Sequence, residues 1–183
     1  MVAATAAATA RDRVLIAAKQ GVAMDGSADQ LASLVDVAKA LSDAEIPYAL
    51  IGGLAVGIHS QVPRATQDID IAVISSVSRE TITSSLSSAG FELLAEHAHS
   101  INFRHVGGEP VQIAIDDAFD AMVERADDVE IGGVSIRVVG KDDLIAMKER
   151  SSSDPGRRPS KALRDRADLE LLRGDVPDPD EGW

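Results

Sequence analysis

Two aspartates one residue apart, Asp68 and Asp70, open the apolar run Asp-Ile-Asp-Ile-Ala-Val-Ile, which reads as a strand over residues 68–74. Residues i and i+2 of a strand point to the same face, so the two carboxylates converge. Carboxylates held side by side repel unless a cation lies between them. Magnesium or manganese suits such a site, because magnesium commonly binds through one or two carboxylates together with substrate phosphates. Some fifteen residues upstream, Gly52-Gly53 ends a short apolar segment, Tyr48-Ala49-Leu50-Ile51, and leads into Leu54–Ser60, which reads as helix. Glycines let a phosphate approach the backbone, and a helix N-terminus offers unpaired N–H groups to an anion. Each part alone is ordinary: a double glycine is usually a turn, a surface Asp-x-Asp is usually solvated, and His59 alone would usually be a packed or capping histidine. In this order and at this separation, the parts describe a seat for phosphoryl oxygens and a cation.

The segment from Gly52-Gly53 through His59, Arg64 and Thr66 to Asp68 and Asp70 resembles the signature of the polymerase-beta-like nucleotidyltransferases. Within that superfamily it is most similar to the AbiEii-type toxin branch. Two further blocks look like that family's C-terminal helices: Asp142-Asp143-Leu144-Ile145-Ala146-Met147-Lys148 and Arg164-Asp165-Arg166-Ala167-Asp168-Leu169. The likeness spans about residues 30–173. It implies a nucleotide held by Gly52, Gly53, His59, Arg64 and Thr66, a divalent metal on Asp68 and Asp70, and Lys148 aimed at the phosphates. It further implies an in-line attack on the α-phosphate that releases pyrophosphate. ATP is the natural donor to test. Acceptors open on this reading are an RNA such as tRNA, a protein or a small molecule. An antitoxin or other protein partner is a further expectation.

The sequence departs from the family at the third carboxylate. The strand Val111-Gln112-Ile113-Ala114-Ile115 carries Gln112 where the family places an aspartate. Either Asp116, further along the same face, completes the metal set, or the nucleophile-activating metal is weakly held. The second case would leave a nucleotide-binding module with slow or lost transfer.

These residues need a frame. Leu31, Leu34, Val35, Ala38 and Leu41 recur at helical spacing over 28–44, and 78–89 reads as an amphipathic helix stopped by Gly90. Strands are expected over 91–94, 100–106, 111–115, 129–131 and 134–139, with helices over 142–150 and 161–173 and a mobile loop over 151–159. Strand, helix and strand followed by hairpins describe an α/β (α+β) fold, a mixed sheet flanked by helices with a C-terminal helical extension. The expected organisation is a helical arm over 1–26, a core over 27–140, C-terminal helices over 141–174 and a disordered acidic tail over 175–183.

Bulk properties fit that frame. Hydrophobic residues make up 45% of 183 and aromatics 3%, so the core must be aliphatic. The absence of cysteine excludes disulfides and cysteine-held zinc and is compatible with a cytoplasmic location. No apolar run reaches the ~20 residues of a membrane span. The formal charge is −12, which should repel nucleic acid overall. From Lys148 to Arg166, however, seven basic residues stand against three acids. That island is either a solvated helix face with internal ion pairs or a landing surface for an anion such as RNA.

Overall fold

The computed structural model describes residues 27–62 and 64–175. The expected arm over 1–26, and all but Asp175 of the expected tail, lie outside the described residues. The chain runs α1 (Ser27–Asp43), β1 (Tyr48–Ile51), α2 (Gly52–Ser60), β2 (Ile69–Val73), α3 (Arg79–Ser88), β3 (Glu92–His97), β4 (Ser100–Arg104) and β5 (Pro110–Ile115). A 3₁₀ turn (Asp117–Phe119) leads into α4 (Asp120–Glu124), and β6 (Asp127–Ile131), β7 (Val134–Val138), α5 (Lys141–Ser153) and α6 (Pro159–Arg173) follow.

The seven strands form one mixed sheet in the order β3-β4-β5-β2-β1-β7-β6. Strand β1 pairs antiparallel with β2 and parallel with β7, while β2 pairs parallel with β5. The outer strands are added as antiparallel hairpins, β3–β4–β5 on one side and β6–β7 on the other. The edge strand β3 carries a bulge between Leu93 and Ala95.

Burial follows from this order. At the centre every residue of β1 is buried, as are Ile71, Ala72 and Val73 of β2. This explains why these segments read as unbroken apolar runs. On β4 and β5 the pattern alternates: Ile101, Phe103, Val111 and Ile113 are buried, whereas Arg104, Pro110 and Gln112 are exposed. One face of that wing is therefore core, and the other is open to solvent. Leu34, Val37, Ala38 and Leu41 of α1 complete the core as one helical stripe. Among the described residues no helix is long and apolar enough to cross a membrane.

Local chemistry sets the element ends. The Ser78 side chain accepts from the Thr81 N–H and starts α3, and Gly174 in the left-handed region stops α6. The loop expected over 151–159 is shorter than its composition suggests. Helix α5 continues through Ser153, and Asp154 folds the remainder by accepting from the Gly156 N–H at 2.8 Å. The segment 117–124, which carries no clear period in the sequence, is helical. Asp120 fastens it to the end of β2 by accepting from the Ser75 N–H at 2.7 Å and the Ser75 hydroxyl at 2.6 Å.

Ile113 lies fully buried between its register partners Ile71 and Ile101. Truncation there removes apolar contacts and leaves a cavity. Ile113→Ala should lower unfolding stability by about 3 kcal/mol in a urea titration, with little change in the m-value.

Candidate functional site

The parallel pairing of β2 with β5 and the antiparallel pairing of β2 with β1 put Asp70 opposite both Ile51 and Gln112. Gly52 follows Ile51 directly and has φ +69°, a conformation glycine adopts without strain. A Cβ at Gly52 would lie 2.1 Å from Asp70 Oδ2 and 2.8 Å from Asp70 Cγ. The first residue of α2 therefore rests on the Asp70 carboxylate, and no side chain fits between them. Gly53 is equally constrained, since a Cβ there would lie 2.9 Å from Thr66 Cβ. Ile51, at the N-cap, supplies no side-chain hydrogen bond to α2. The first-turn N–H groups of α2 thus begin at the carboxylate corner without a side-chain cap.

The loop between α2 and β2 is anchored from two sides and braced within. The Gln30 amide donates to the Thr66 carbonyl at 3.0 Å, and the Thr66 hydroxyl donates to the Asp68 carbonyl at 3.4 Å. Arg64 donates through Nε to Asp168 Oδ1 at 2.6 Å and through its guanidinium to the Ala65 carbonyl. His59 pins the far end of α2 to the chain after β7, its Nε2 donating to the Val139 carbonyl at 2.7 Å. His59, Arg64 and Thr66 thus all hold backbone or another side chain, and shape the corner.

Lys148 is buried, and its ammonium lies 3.0 Å from Asp165 Oδ1 and 2.7 Å from Asp168 Oδ2. Arg157 adds a bond to Asp165 Oδ2 at 2.6 Å. An alternating chain results, Arg64–Asp168–Lys148–Asp165–Arg157, which joins the α2–β2 loop to α5, α6 and the turn between them. Two members of the basic island, Lys148 and Arg157, and Arg64 of the α2–β2 loop are thus ion-paired internally. Lys161 is different. It stands four and seven residues before Asp165 and Asp168 on α6, hence at the exposed start of the same helical stripe. It makes no ion pair among the described residues, and its charge reaches Asp70. In the sequence it was indistinguishable from its basic neighbours.

Asp70 is partly buried, and its carboxyl is pushed up to about 6. Burial is the chief cause and Asp68 the second, with Lys148 and Lys161 pulling the other way. Asp68 is exposed, and neither aspartate has an ion-pair partner among the described residues. A partly buried carboxylate beside a second carboxylate, short of a counter-charge, is the donor set that a hard divalent cation satisfies. No group of three or more His, Asp or Glu among the described residues could hold a metal, so the protein would supply two ligands and leave the rest to substrate and water.

Asp116 does not join this set. Strand β5 ends at Ile115, opposite Val73, so Asp116 lies four residues along from Gln112 at the other end of the strand. It caps the 3₁₀ turn by accepting from the Ala118 N–H at 3.0 Å and sits 3.0 Å from His99 Nδ1. Four residues of strand span roughly 13 Å, too far to share an ion with Asp70.

The family described as "nucleotidyltransferase of unknown function (DUF6036)" matches residues 29–181. No curated protein matches the chain. Among solved structures, an antigenic nucleotidyltransferase-like protein from Paracoccidioides brasiliensis is similar at 25% identity and a TM-score of 0.56, covering 85% of this chain and 81% of that one. ANT(2'')-Ia in complex with adenylyl-2''-tobramycin shares the fold at 16% identity and a TM-score of 0.56, covering 80% and 88%. The lincomycin-bound lincosamide antibiotic adenylyltransferase LnuA does so at 14% identity and 0.54, covering 82% and 98%.

Two aspartates in this region titrate in opposite senses. For Asp70 the native value is raised, so its stabilising contribution is present below about pH 4 and is lost as pH rises through about 6. In metal-free protein at pH 7.5, Asp70→Asn should therefore raise stability by about 1–2 kcal/mol, and below pH ~4 the gain should vanish. Magnesium should stabilise the wild type and not the variant, as read by thermal melting. For Asp168, burial would raise the carboxyl, but hydrogen bonds from Arg64 and Lys148 outweigh it and hold the group below the usual carboxylate range. Its contribution is present above about pH 4 and is lost as pH falls through the lowered native value. Asp168→Asn should cost about 3 kcal/mol at pH 7, a difference that narrows under acid in denaturant titrations at each pH.

Proposed function

We propose, from the premise that the chain belongs to this nucleotidyltransferase family, that it moves a nucleoside monophosphate from a triphosphate such as ATP to an acceptor and releases pyrophosphate, in the presence of magnesium or manganese. The observation that carries this reading is the contact of Gly52 with Asp70, where a Cβ would sit 2.1 Å from the carboxylate. It joins the start of a helix to a carboxylate pair in one corner, so phosphoryl oxygens seated on the N–H groups meet the ion-holding side chains.

Asp68 and Asp70 would hold the cation, which when bound neutralises phosphate charge and polarises the phosphoryl group. Gly52 and Gly53 leave the space for phosphate. Lys161 meets negative charge developing on the leaving pyrophosphate, a preorganised cation for a transition state in which that charge grows. Lys148 acts through Asp165 and Asp168: it fixes α6 and hence where Lys161 stands. The solved relatives bearing tobramycin and lincomycin adducts or ligands favour a small acceptor. The basic residues of Lys148–Arg166 leave fewer free charges for an RNA acceptor than their number suggests, since Lys148 and Arg157 are ion-paired.

One observation favours a second reading. Gln112, not a carboxylate, is the register partner of Asp70, which fits a protein that binds nucleotide with little transfer, in the manner of a partner-regulated module.

Incubation with α-labelled ATP, magnesium and candidate acceptors should yield labelled product and pyrophosphate, and Asp68→Ala should cut transfer at least about a hundredfold. Lys161→Ala should lower kcat about tenfold with the melting temperature unchanged. Lys148→Ala should instead destabilise by about 3 kcal/mol, because Asp165 and Asp168 lose their shared counter-charge. Unchanged transfer in Asp68→Ala would refute the assignment. Magnesium and ATP at about a hundred times the dissociation constant should add about 2.7 kcal/mol of stability whether or not turnover follows.

A further inference from the structure

The open face of the β5–β4 wing continues directly from Asp70. Register places Gln112 of β5 next to Asp70, and Asn102 of β4 next to Gln112. The three polar side chains stand in one row on one face, and Arg104, two residues from Asn102, lies on that same face. Arg104 and Gln112 are exposed, and Arg104 makes no ion pair among the described residues, although Glu92 is its partner across β3–β4. The Asn102 amide oxygen is buried and has no hydrogen-bond partner among the described residues. The opposite face of these strands, Ile101, Phe103, Val111 and Ile113, is sealed core.

This row is notable for the base it lacks. An alcohol attacking a phosphorus must lose its proton, and the usual recipient is a carboxylate or imidazole within hydrogen-bond reach. Along β5 the same-face neighbours of Gln112 are Pro110 and Ala114, and its lateral neighbours are Asp70 and Asn102. Asp68 and Asp70 are committed to the cation on the reading above. Glu109 accepts from the Ser33 hydroxyl at 3.0 Å, and Asp116 is at the far end of the strand beside His99. Glu92 lies beyond Arg104 on β3, three strands from Asp70, so among the described residues two neutral amides and a guanidinium without an ion pair stand beside the carboxylate corner where a proton acceptor would be needed.

We propose that the acceptor attacks through an oxygen that is already ionised at neutral pH, a phosphate monoester or a carboxylate, held by Arg104 and the Gln112 amide. The step then balances without a base. The acceptor oxyanion forms a bond to the α-phosphorus, and the bond from that phosphorus to the α–β bridging oxygen breaks. Pyrophosphate departs with that electron pair, and no proton moves. The product is a phosphoanhydride from a phosphate monoester or a mixed acyl–phosphate anhydride from a carboxylate. A guanidinium matches either oxyanion by paired hydrogen bonds. This inference rests on the nucleotidyl-transfer reading and deepens it.

The test uses the full chain with magnesium, α-labelled ATP and matched probes: glycerol, glycerol phosphate, and glycerate. Transfer to glycerol phosphate or glycerate should exceed transfer to glycerol by at least about a hundredfold, the rate a general base would otherwise supply. Which ionised probe is labelled separates the phosphate from the carboxylate source. Arg104→Ala should raise KM for the ionised probe about tenfold with kcat for the bound probe little changed. Gln112→Asp should bring glycerol up and the ionised probe down. Calorimetry without metal or nucleotide gives an independent readout: the preferred probe should bind wild type and not Arg104→Ala. Glycerol labelled as well as its phosphate, or no ionised probe labelled while magnesium and ATP still raise the melting temperature, overturns this proposal alone. Loss of the magnesium–ATP shift would instead strike the nucleotide-transfer reading.

Discussion

A helix that starts on a carboxylate, with no atom to spare between them, is the constraint around which this molecule is arranged. Gly52 has room for hydrogen alone, and its positive φ turns the chain from β1 into α2 in a single residue. Any larger residue would push α2 off Asp70 and widen the corner. The loop that returns to β2 must then be tied down closely, and it is: Gln30 of α1 and Asp168 of α6 hold it from outside, and Thr66 braces it internally on the Asp68 carbonyl. Gly53 against Thr66 repeats the same logic one residue on.

The ionic chain from Arg64 to Arg157 is the second organising feature. Burying charges costs several kcal/mol per ion unless each finds partners of good geometry. Here each acid touches two cations and the central lysine touches two acids, so desolvation is met from both sides. Three cations against two acids leave one positive charge over. On a chain of net charge −12, Lys148 from this network and Lys161 beyond it leave Asp70 less raised than burial and Asp68 alone would make it.

Much of the fold was legible because the central strands and the helices flanking them carry strong local patterns. Tyr48–Ile51 and Ile71–Val73 are continuous apolar runs, and Ser78, Gly90 and Gly174 mark helix ends by capping chemistry. The mixed sheet, its hairpins and the C-terminal helix pair follow from those signals. What was not legible depends on partners distant in sequence. Lys148 reads as a cation aimed at the phosphates until α6 brings Asp165 and Asp168 to it, 17 and 20 residues away. Lys161 reads as one basic residue among many until that pairing has consumed Lys148 and Arg157. Asp116 shares the parity of Gln112 along β5, which made it a reasonable third carboxylate. Parity carries no information on where the strand ends, and Asp116 falls beyond it. The five-residue helix α4 is too short to display a period.

The junction of β1 with β7 has a consequence for how the molecule breathes. Leu50 and Val138 are the register pair that joins β7 to the sheet, supported by the Val139 N–H donating to the Leu50 carbonyl at 3.0 Å. On the other flank of β1, four consecutive pairs run from Tyr48 to Ile51. The β6–β7 hairpin is thus lightly hydrogen-bonded to a firmly stitched centre and held to it chiefly by the buried side chains of Ile136 and Val138, so its backbone ladder opens more readily than the centre's. Amide protons of β6 and β7 would exchange with solvent ahead of those in β2 and β5. Because His59 grips the Val139 carbonyl, such an opening would loosen the tail of α2 while leaving its glycine head seated, so the thermal softness of the domain is steered away from its chemistry.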